Sequence, residues 1–244
     1  MAILSGLAGA TLVCWLYLAQ MASEMGVMPT MSDMGVQPWT SVDFLSMLAM
    51  WVVMMIGMML PSATPMILVF AAVARKASRE GQVVAPTAVF VAGYLAIWSA
   101  FALAATFAQW ALDQAALLSP MMVSTSPLLG AVLLAAAGIF QLTPAKDACL
   151  DHCRSPAEFL SKHWRSGTFG AFRMGVVHGG FCLGCCWALM GLLFVGGVMN
   201  LVWIGLITVF VLVEKLLPGG RMMSRAAGGL MLVAGGLLVV RAAG

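Results

Sequence analysis

Residues 174–190 read M-G-V-V-H-G-G-F-C-L-G-C-C-W-A-L-M, an apolar run that nonetheless carries one imidazole and three thiols. Residues three and four apart share a helical face. A helix here presents His178, Cys182 and Cys185 on one side, with Met174 one turn earlier and Cys186 and Met190 in an adjacent row. Thiolate and imidazole together suit soft and borderline ions, Cu(I) first and Zn(II) second. A second cluster lies in Q-L-T-P-A-K-D-A-C-L-D-H-C-R-S-P, residues 141–156, where Cys149, His152 and Cys153 stand at i, i+3 and i+4. One helical turn can offer all three to the same kind of ion. Methionine supplies a third set of donors. Met47, Met50, Met54 and Met58 fall on one helical face, and Met55, Met59 and Met66 form a neighbouring row. Met21, Met25, Met28, Met31 and Met34 recur every three or four residues in a stretch broken by Gly26, Pro29 and Gly35. A thioether is uncharged, needs no deprotonation and selects Cu(I) over harder ions.

Every one of these features also has a plainer reading. Methionine is a flexible filler of irregular apolar gaps, although 21 methionines in 244 residues is a heavy use of it. The 141–156 stretch also reads as a surface helix with incidental thiols. Cys14 stands alone and reads as a small packing residue, and His163 sits in a basic, polar connection. Glu214, at the end of an apolar run, reads as an ion-pair partner at headgroup level or as a relay.

The elements that must hold these donors are membrane helices. The chain is 62% hydrophobic and 9% charged, outside the range of soluble domains. Seven apolar stretches, near 2–21, 43–74, 84–111, 126–143, 171–196, 200–217 and 226–242, approach the length needed to cross a bilayer. The expected fold is therefore an all-α, polytopic transmembrane bundle of about seven spans. No polar stretch is long enough for a separate domain. The whole chain, 1–244, reads as one membrane domain with a Met-rich outer loop at 21–42 and a Cys/His inner loop at 144–170. Eleven of the twelve basic residues fall in alternate connections, which carry Arg75, Lys76 and Arg79, then Lys146 to Arg173, then Lys215, Arg221 and Arg225. Positive residues mark the cytoplasmic side, so the N-terminus is expected inside and the C-terminus outside, in a bacterial inner membrane. The net charge of +3 thus reports topology and gives no reason to expect nucleic acid as a partner. The first apolar run lacks a basic leader and is long for a signal peptide, so it reads as an uncleaved helix.

Two details bear on packing. Gly175 and Gly179 are four apart, as are Gly180 and Gly184, a spacing that lets a neighbouring membrane helix approach closely. Pro61 and Pro65 interrupt the hydrogen-bond ladder of the second span, and the freed carbonyls need partners from elsewhere.

Three strings together resemble a bacterial family of predicted metal-binding integral membrane proteins, a domain of unknown function. They are W-V-V-M-M-I-G-M-M-L-P-S-A-T-P at 51–65, the 141–156 string, and H-G-G-F-C-L-G-C-C-W-A-L-M at 178–190. The run F-x-x-G-x-M-N-L-x-W at 194–203 fits as well, whereas the Met-rich outer loop does not belong to the pattern. The resemblance implies membrane location and metal binding, but no reaction.

The expected function is Cu(I) handling, as a permease or delivery factor. The outer methionines collect the ion, Met54, Met55, Met58 and Met59 with His178 to Cys186 hold it near mid-membrane, and Cys149, His152 and Cys153 exchange it inside. The expected partners are the lipid bilayer, the metal ion and a periplasmic or cytoplasmic metallochaperone. Two other classes stay open. The C-x-x-C pair Cys182 and Cys185 can cycle between dithiol and disulfide in a membrane thiol relay, and a metal-dependent oxidase or its assembly factor uses the same ligand types.

Overall fold

The structure, a computed structural model, describes residues 2–27, 39–119 and 122–243. Met28 and Met31 of the expected outer capture loop lie outside the described residues, as does the side chain of Met25. Among the described residues the chain is all-α, with a lone antiparallel bridge, Leu118 to Ser124, outside the helices. The helices are α1 (Ala2–Val27), α2 (Ser41–Arg79), α3 (Thr87–Gln114), α4 (Pro127–Gln141), α5 (Pro144–Arg154), α6 (Pro156–His163), α7 (Gly167–Gly191), α8 (Leu193–Gly196), α9 (Leu201–Leu216) and α10 (Gly220–Ala243).

Five stretches are long and apolar enough to cross a membrane: Ala2–Glu24, Ser41–Arg79, Thr87–Gln114, Gly167–Gly196 and Gly220–Ala242. A sixth arises if α4 and α5, bent by 65° at their junction, are taken as one broken span. The bend has a local cause. Pro144 has no N–H to continue the ladder and sits at the first turn of a new helix, which Thr143 caps by accepting from the Lys146 N–H at 3.3 Å. The remaining stretch of the sequence reading is α9, whose 16 residues fall short of the usual span length.

Helix contact is closest where glycine removes the side chain. A Cβ on Gly175 of α7 would stand 2.0 Å from the Phe90 carbonyl oxygen of α3, and one on Gly93 of α3 would stand 2.2 Å from the Phe172 carbonyl oxygen of α7. Gly138 of α4 and Gly228 of α10 meet in the same backbone-to-backbone fashion. Connections 80–86 and 142–166 gather at one end of the bundle, where the Gly167 N–H donates to Val83 and Arg154 to the Leu217 carbonyl. At the other end Trp39 donates to Asp113, and the Ser124 N–H to Phe194.

α2 runs unbroken through Pro61 and Pro65. Pro61 cannot donate to the Gly57 carbonyl, and the indole N–H of Trp15, from α1, takes that role at 3.3 Å. Replacing Trp15 by phenylalanine leaves this carbonyl without its donor and is expected to cost about 1–3 kcal/mol, the usual penalty for an orphaned polar group. Thermal unfolding in detergent checks this, and an unchanged midpoint would show that the carbonyl is satisfied otherwise.

Candidate metal centre

α7 carries the densest set of donors because it is packed on three sides. Its Gly175 and Gly179 edge seats it against α3, and its Gly184 abuts the Cys149 sulfur of α5. Gly180, by contrast, faces open space, so only one of the two glycine pairs marks a single helix contact. His178, Cys182, Cys185 and Cys186 are consequently all buried.

The thiols of Cys182, Cys185 and Cys186 lie within one turn of α7, and Cys153 of α5 stands beside Cys182 and Cys185. The two sulfur motifs, some thirty residues apart in the chain, thus meet at one spot. α2 adds a thioether: the Cys186 thiol points at Met59 Sδ, 4.0 Å away. The other α2 methionines, Met54, Met55 and Met58, are buried in the core around it. All six cysteines are free thiols.

Two further side chains complete the site, neither of which stood out as a ligand in the sequence. The Tyr94 hydroxyl of α3 lies 3.1 Å from Cys182 Sγ and 3.1 Å from the Met59 carbonyl oxygen, joining the two sulfur-bearing helices. Lys215 of α9 places its ammonium 2.9 Å from Cys182 Sγ and 3.2 Å from the Ser62 hydroxyl. Tyr94 carries a faint sequence signal, as one of two tyrosines in the chain. Lys215 carries almost none, because a lysine at the end of an apolar run reads equally well as an interfacial residue.

The imidazoles behave differently from the thiols. His178 sits among the rings of Phe90, Tyr94 and Phe159, and its Nδ1 has no hydrogen-bond partner. His152 stacks flat on Phe181 with centroids 4.1 Å apart, and its Nδ1 engages the Ala148 carbonyl at 2.9 Å. Cys149, His152 and Cys153 therefore go to three different neighbours instead of closing on one point. Among the described residues no three His, Cys, Asp or Glu side chains stand in ready-made ligand geometry. The thiol partners explain why. Cys185 and Cys186 both donate to the Cys182 carbonyl, at 3.1 and 3.0 Å, so their sulfurs serve the backbone of their own helix. A metal would have to take the place of those protons. The donor chemistry fits a soft ion with few ligands: four thiols, one thioether and one balancing cation.

Beside the thiols lies a separate ionic network. Lys146 of α5 and Glu214 of α9 form an ion pair at 2.6 Å with both side chains fully buried. Gln141 contacts the lysine, and Ser224 donates to the carboxylate. Glu214 is thus an ion-pair partner, but in the protein interior and not at a surface. Arg221 with Asp151, and Arg225 with Asp147 at 3.3 Å, fasten α5 to α10 from outside.

Residues 48–238 match the family described as PpoB2, copper chaperone. The chain belongs to this family. The resemblance carried by the strings at 51–65, 141–156 and 178–190 holds, since all three fall inside the matched region. In this copper chaperone family member the matched region includes Cys149, Cys153, His178, Cys182, Cys185, Cys186 and Met59, and excludes Met25, Met28 and Met31. No curated protein and no solved structure matches the chain.

Proposed function

We propose that this chain is a multi-pass protein of the bacterial inner membrane that binds Cu(I) as cargo and passes it on to a soluble acceptor. The observation that carries the reading is the packing of the α7 thiols against α2 and α9, with Cys186 facing Met59 Sδ at 4.0 Å and Lys215 at 2.9 Å from Cys182 Sγ, and with Cys153 of α5 beside Cys182 and Cys185. Neither motif alone has that many soft donors, and their union in one buried place is what a site for a soft monovalent ion requires. The membership of a copper chaperone family supports copper as the cargo.

The charge balance supports the +1 state. Two thiolates and one Cu(I) sum to −1, and the Lys215 ammonium beside Cys182 brings the loaded centre to neutrality. Neutrality matters in a low-dielectric interior, where an unbalanced charge costs several kcal/mol.

The surface supports the membrane reading. Leu12 of α1 is 60% exposed and Leu230 of α10 is 71% exposed, on helix faces that no other described part of the protein covers. Lipid is the solvent that suits such a surface. We read the chain as one domain over 1–244 with seven spans, α9 serving as a short seventh. The basic connections lie inside, which puts the N-terminus inside and the C-terminus outside. Cys153 and Cys149 are only half-buried and belong to the helix nearest the basic end, so they are the natural exit toward a cytoplasmic acceptor thiol. The outer methionines Met25, Met28 and Met31 are the proposed collectors.

The test is the copper content of the full chain, purified in detergent under anaerobic reducing conditions and loaded with Cu(I). One or more copper per chain in an all-sulfur environment by X-ray absorption is expected. No copper, together with a disulfide between Cys182 and Cys185 after exposure to air, would replace this reading with a thiol relay. Substituting Cys153 by serine is expected to weaken Cu(I) binding by about tenfold to a hundredfold, roughly 1.4–2.8 kcal/mol, while one ion still binds. Chelator competition measures it, and an unchanged affinity would show that α5 does not share the centre.

A further inference from the structure

We infer that Met47 and Met122 form a second site, built from thioethers alone, for a soft monovalent cation at the end of the bundle opposite the basic connections. The inference rests on the copper-handling reading above and adds the point at which the ion enters the helix bundle.

The site is organised by Gln109 of α3, which is buried. Its carbonyl oxygen accepts from the Trp51 indole at 2.6 Å, which fixes the orientation of the amide. The amide nitrogen is thereby aimed at two sulfurs, Met122 Sδ at 3.2 Å and Met47 Sδ at 3.6 Å. Thioether sulfur is a weak hydrogen-bond acceptor, so facing a buried amide toward two of them satisfies it poorly. The same two lone-pair sets, converging on one point, are strong donors to Cu(I) or Ag(I). A cation drawn between the two sulfurs would take their lone pairs from the amide N–H groups, so its binding requires Gln109 to release Met47 and Met122.

Met122 is held there at a cost. Its φ of 56° lies in the left-handed region, where a residue with a side chain is strained. The loop fastens it anyway. The Met122 N–H donates to the Ser119 carbonyl, the Val123 N–H to the Ser119 hydroxyl, and the Ser124 N–H to the Phe194 carbonyl of α8. A residue kept in an unfavourable backbone conformation by this many tethers is placed for what its side chain does.

From Met47 the sulfur row continues along α2. Met50, Met54 and Met58 follow at steps of three and four, and all are buried. The axial distance from Met47 to Met59, which faces Cys186, is about 18 Å at 1.5 Å per residue. A thioether entry site thus leads along α2, down the Met47 to Met58 face and across to the neighbouring Met59, to the thiols, from neutral donors to donors that bind more tightly once ionised.

The experiment uses Ag(I) as a redox-inert soft probe and the full chain in detergent, with all six cysteines replaced by serine and Met25, Met28 and Met31 by leucine. This variant is expected to keep one Ag(I) per chain. Adding Met47→Leu and Met122→Leu is expected to weaken that binding at least tenfold. Unchanged Ag(I) binding after these two substitutions would overturn the inference. So would complete loss of binding in the serine variant, and that outcome would leave the thiol centre standing. Should the variant lacking Met47 and Met122 fail to fold, peroxide footprinting of the serine variant decides. Ag(I) is expected to protect Met47 and Met122 from sulfoxide formation, and equal oxidation with and without Ag(I) would overturn the site. If wild type takes up no Cu(I) while Met47 and Met122 are protected by Ag(I), the copper-delivery reading falls and the thioether site stands.

Discussion

Replacing Cys182 and Cys185 together by serine is expected to reduce Cu(I) affinity at least a thousandfold, about 4 kcal/mol. Both sulfurs neighbour Cys153 and Cys186, and Cys186 in turn faces Met59. A serine hydroxyl is a hard, neutral donor that does not replace thiolate for a soft ion. Its size is close to that of the thiol, and it can still donate to the Cys182 carbonyl as Cys185 does. The substitution therefore removes chemistry more than packing. One structural effect is expected. The Lys215 ammonium, now 2.9 Å from Cys182 Sγ, loses its soft, ionisable neighbour and is left as a buried cation. Breaking a buried pair by removing one partner is costly. Adding Lys215→Met to the double variant should thus restore thermal stability without restoring copper. Competition against a chromophoric Cu(I) chelator reads the affinity, and thermal unfolding reads the stability. A double variant that binds copper as tightly as the wild type would locate the centre elsewhere.

What the sequence made legible followed from short-range rules. The Gly175 and Gly179 spacing pointed to a close helix neighbour, and α3 is that neighbour, at a distance no Cβ would permit. Matching the depth of Met59 and Cys186 required only counting residues from opposite ends of two antiparallel helices, and the two sulfurs lie 4.0 Å apart. The run at 194–203 also resolves into local physics. Gly197 has a φ of 98°, Asn200 caps α9 by accepting from the Trp203 N–H, and the Trp203 indole donates to the Leu192 carbonyl. The contributions of Tyr94 and Lys215 were not legible, because they depend on which helices are neighbours. Nothing in the apolar stretches of α3 or α9 encodes that they flank α7 where Cys182 faces. The shared-face argument for His178, Cys182 and Cys185 had a similar limit. Helical spacing sets the direction of each side chain but not what it meets, and the imidazole meets three aromatic rings where the thiols meet one another.

Substituting Lys146 by methionine is expected to destabilise the fold by about 3–5 kcal/mol, the usual cost of stranding one partner of a buried ion pair. Lys146 and Glu214 are both fully buried, and their contact at 2.6 Å is the only ion pair of that kind among the described residues. Glu214 already has one oxygen without a hydrogen-bond partner. Without Lys146 its nearest compensation is the Ser224 hydroxyl, which cannot balance a charge. The double substitution Lys146→Met with Glu214→Leu removes both charges at once and is expected to recover most of the loss, since apolar pairs often replace buried ion pairs without penalty. The network also bears on copper. Glu214 and Lys215 are consecutive on α9, and the pairing of Glu214 with Lys146 leaves the Lys215 ammonium free to face Cys182. An unpaired Glu214 would compete for that ammonium. Lys146→Met alone should therefore weaken Cu(I) binding as well as stability, whereas the double variant should bind copper nearly as the wild type does. Chemical or thermal unfolding of the two variants, paired with the same chelator competition, separates these effects. Equal copper affinity in the single and double variants would show that the ion pair only holds α5 against α9 and has no part in orienting Lys215.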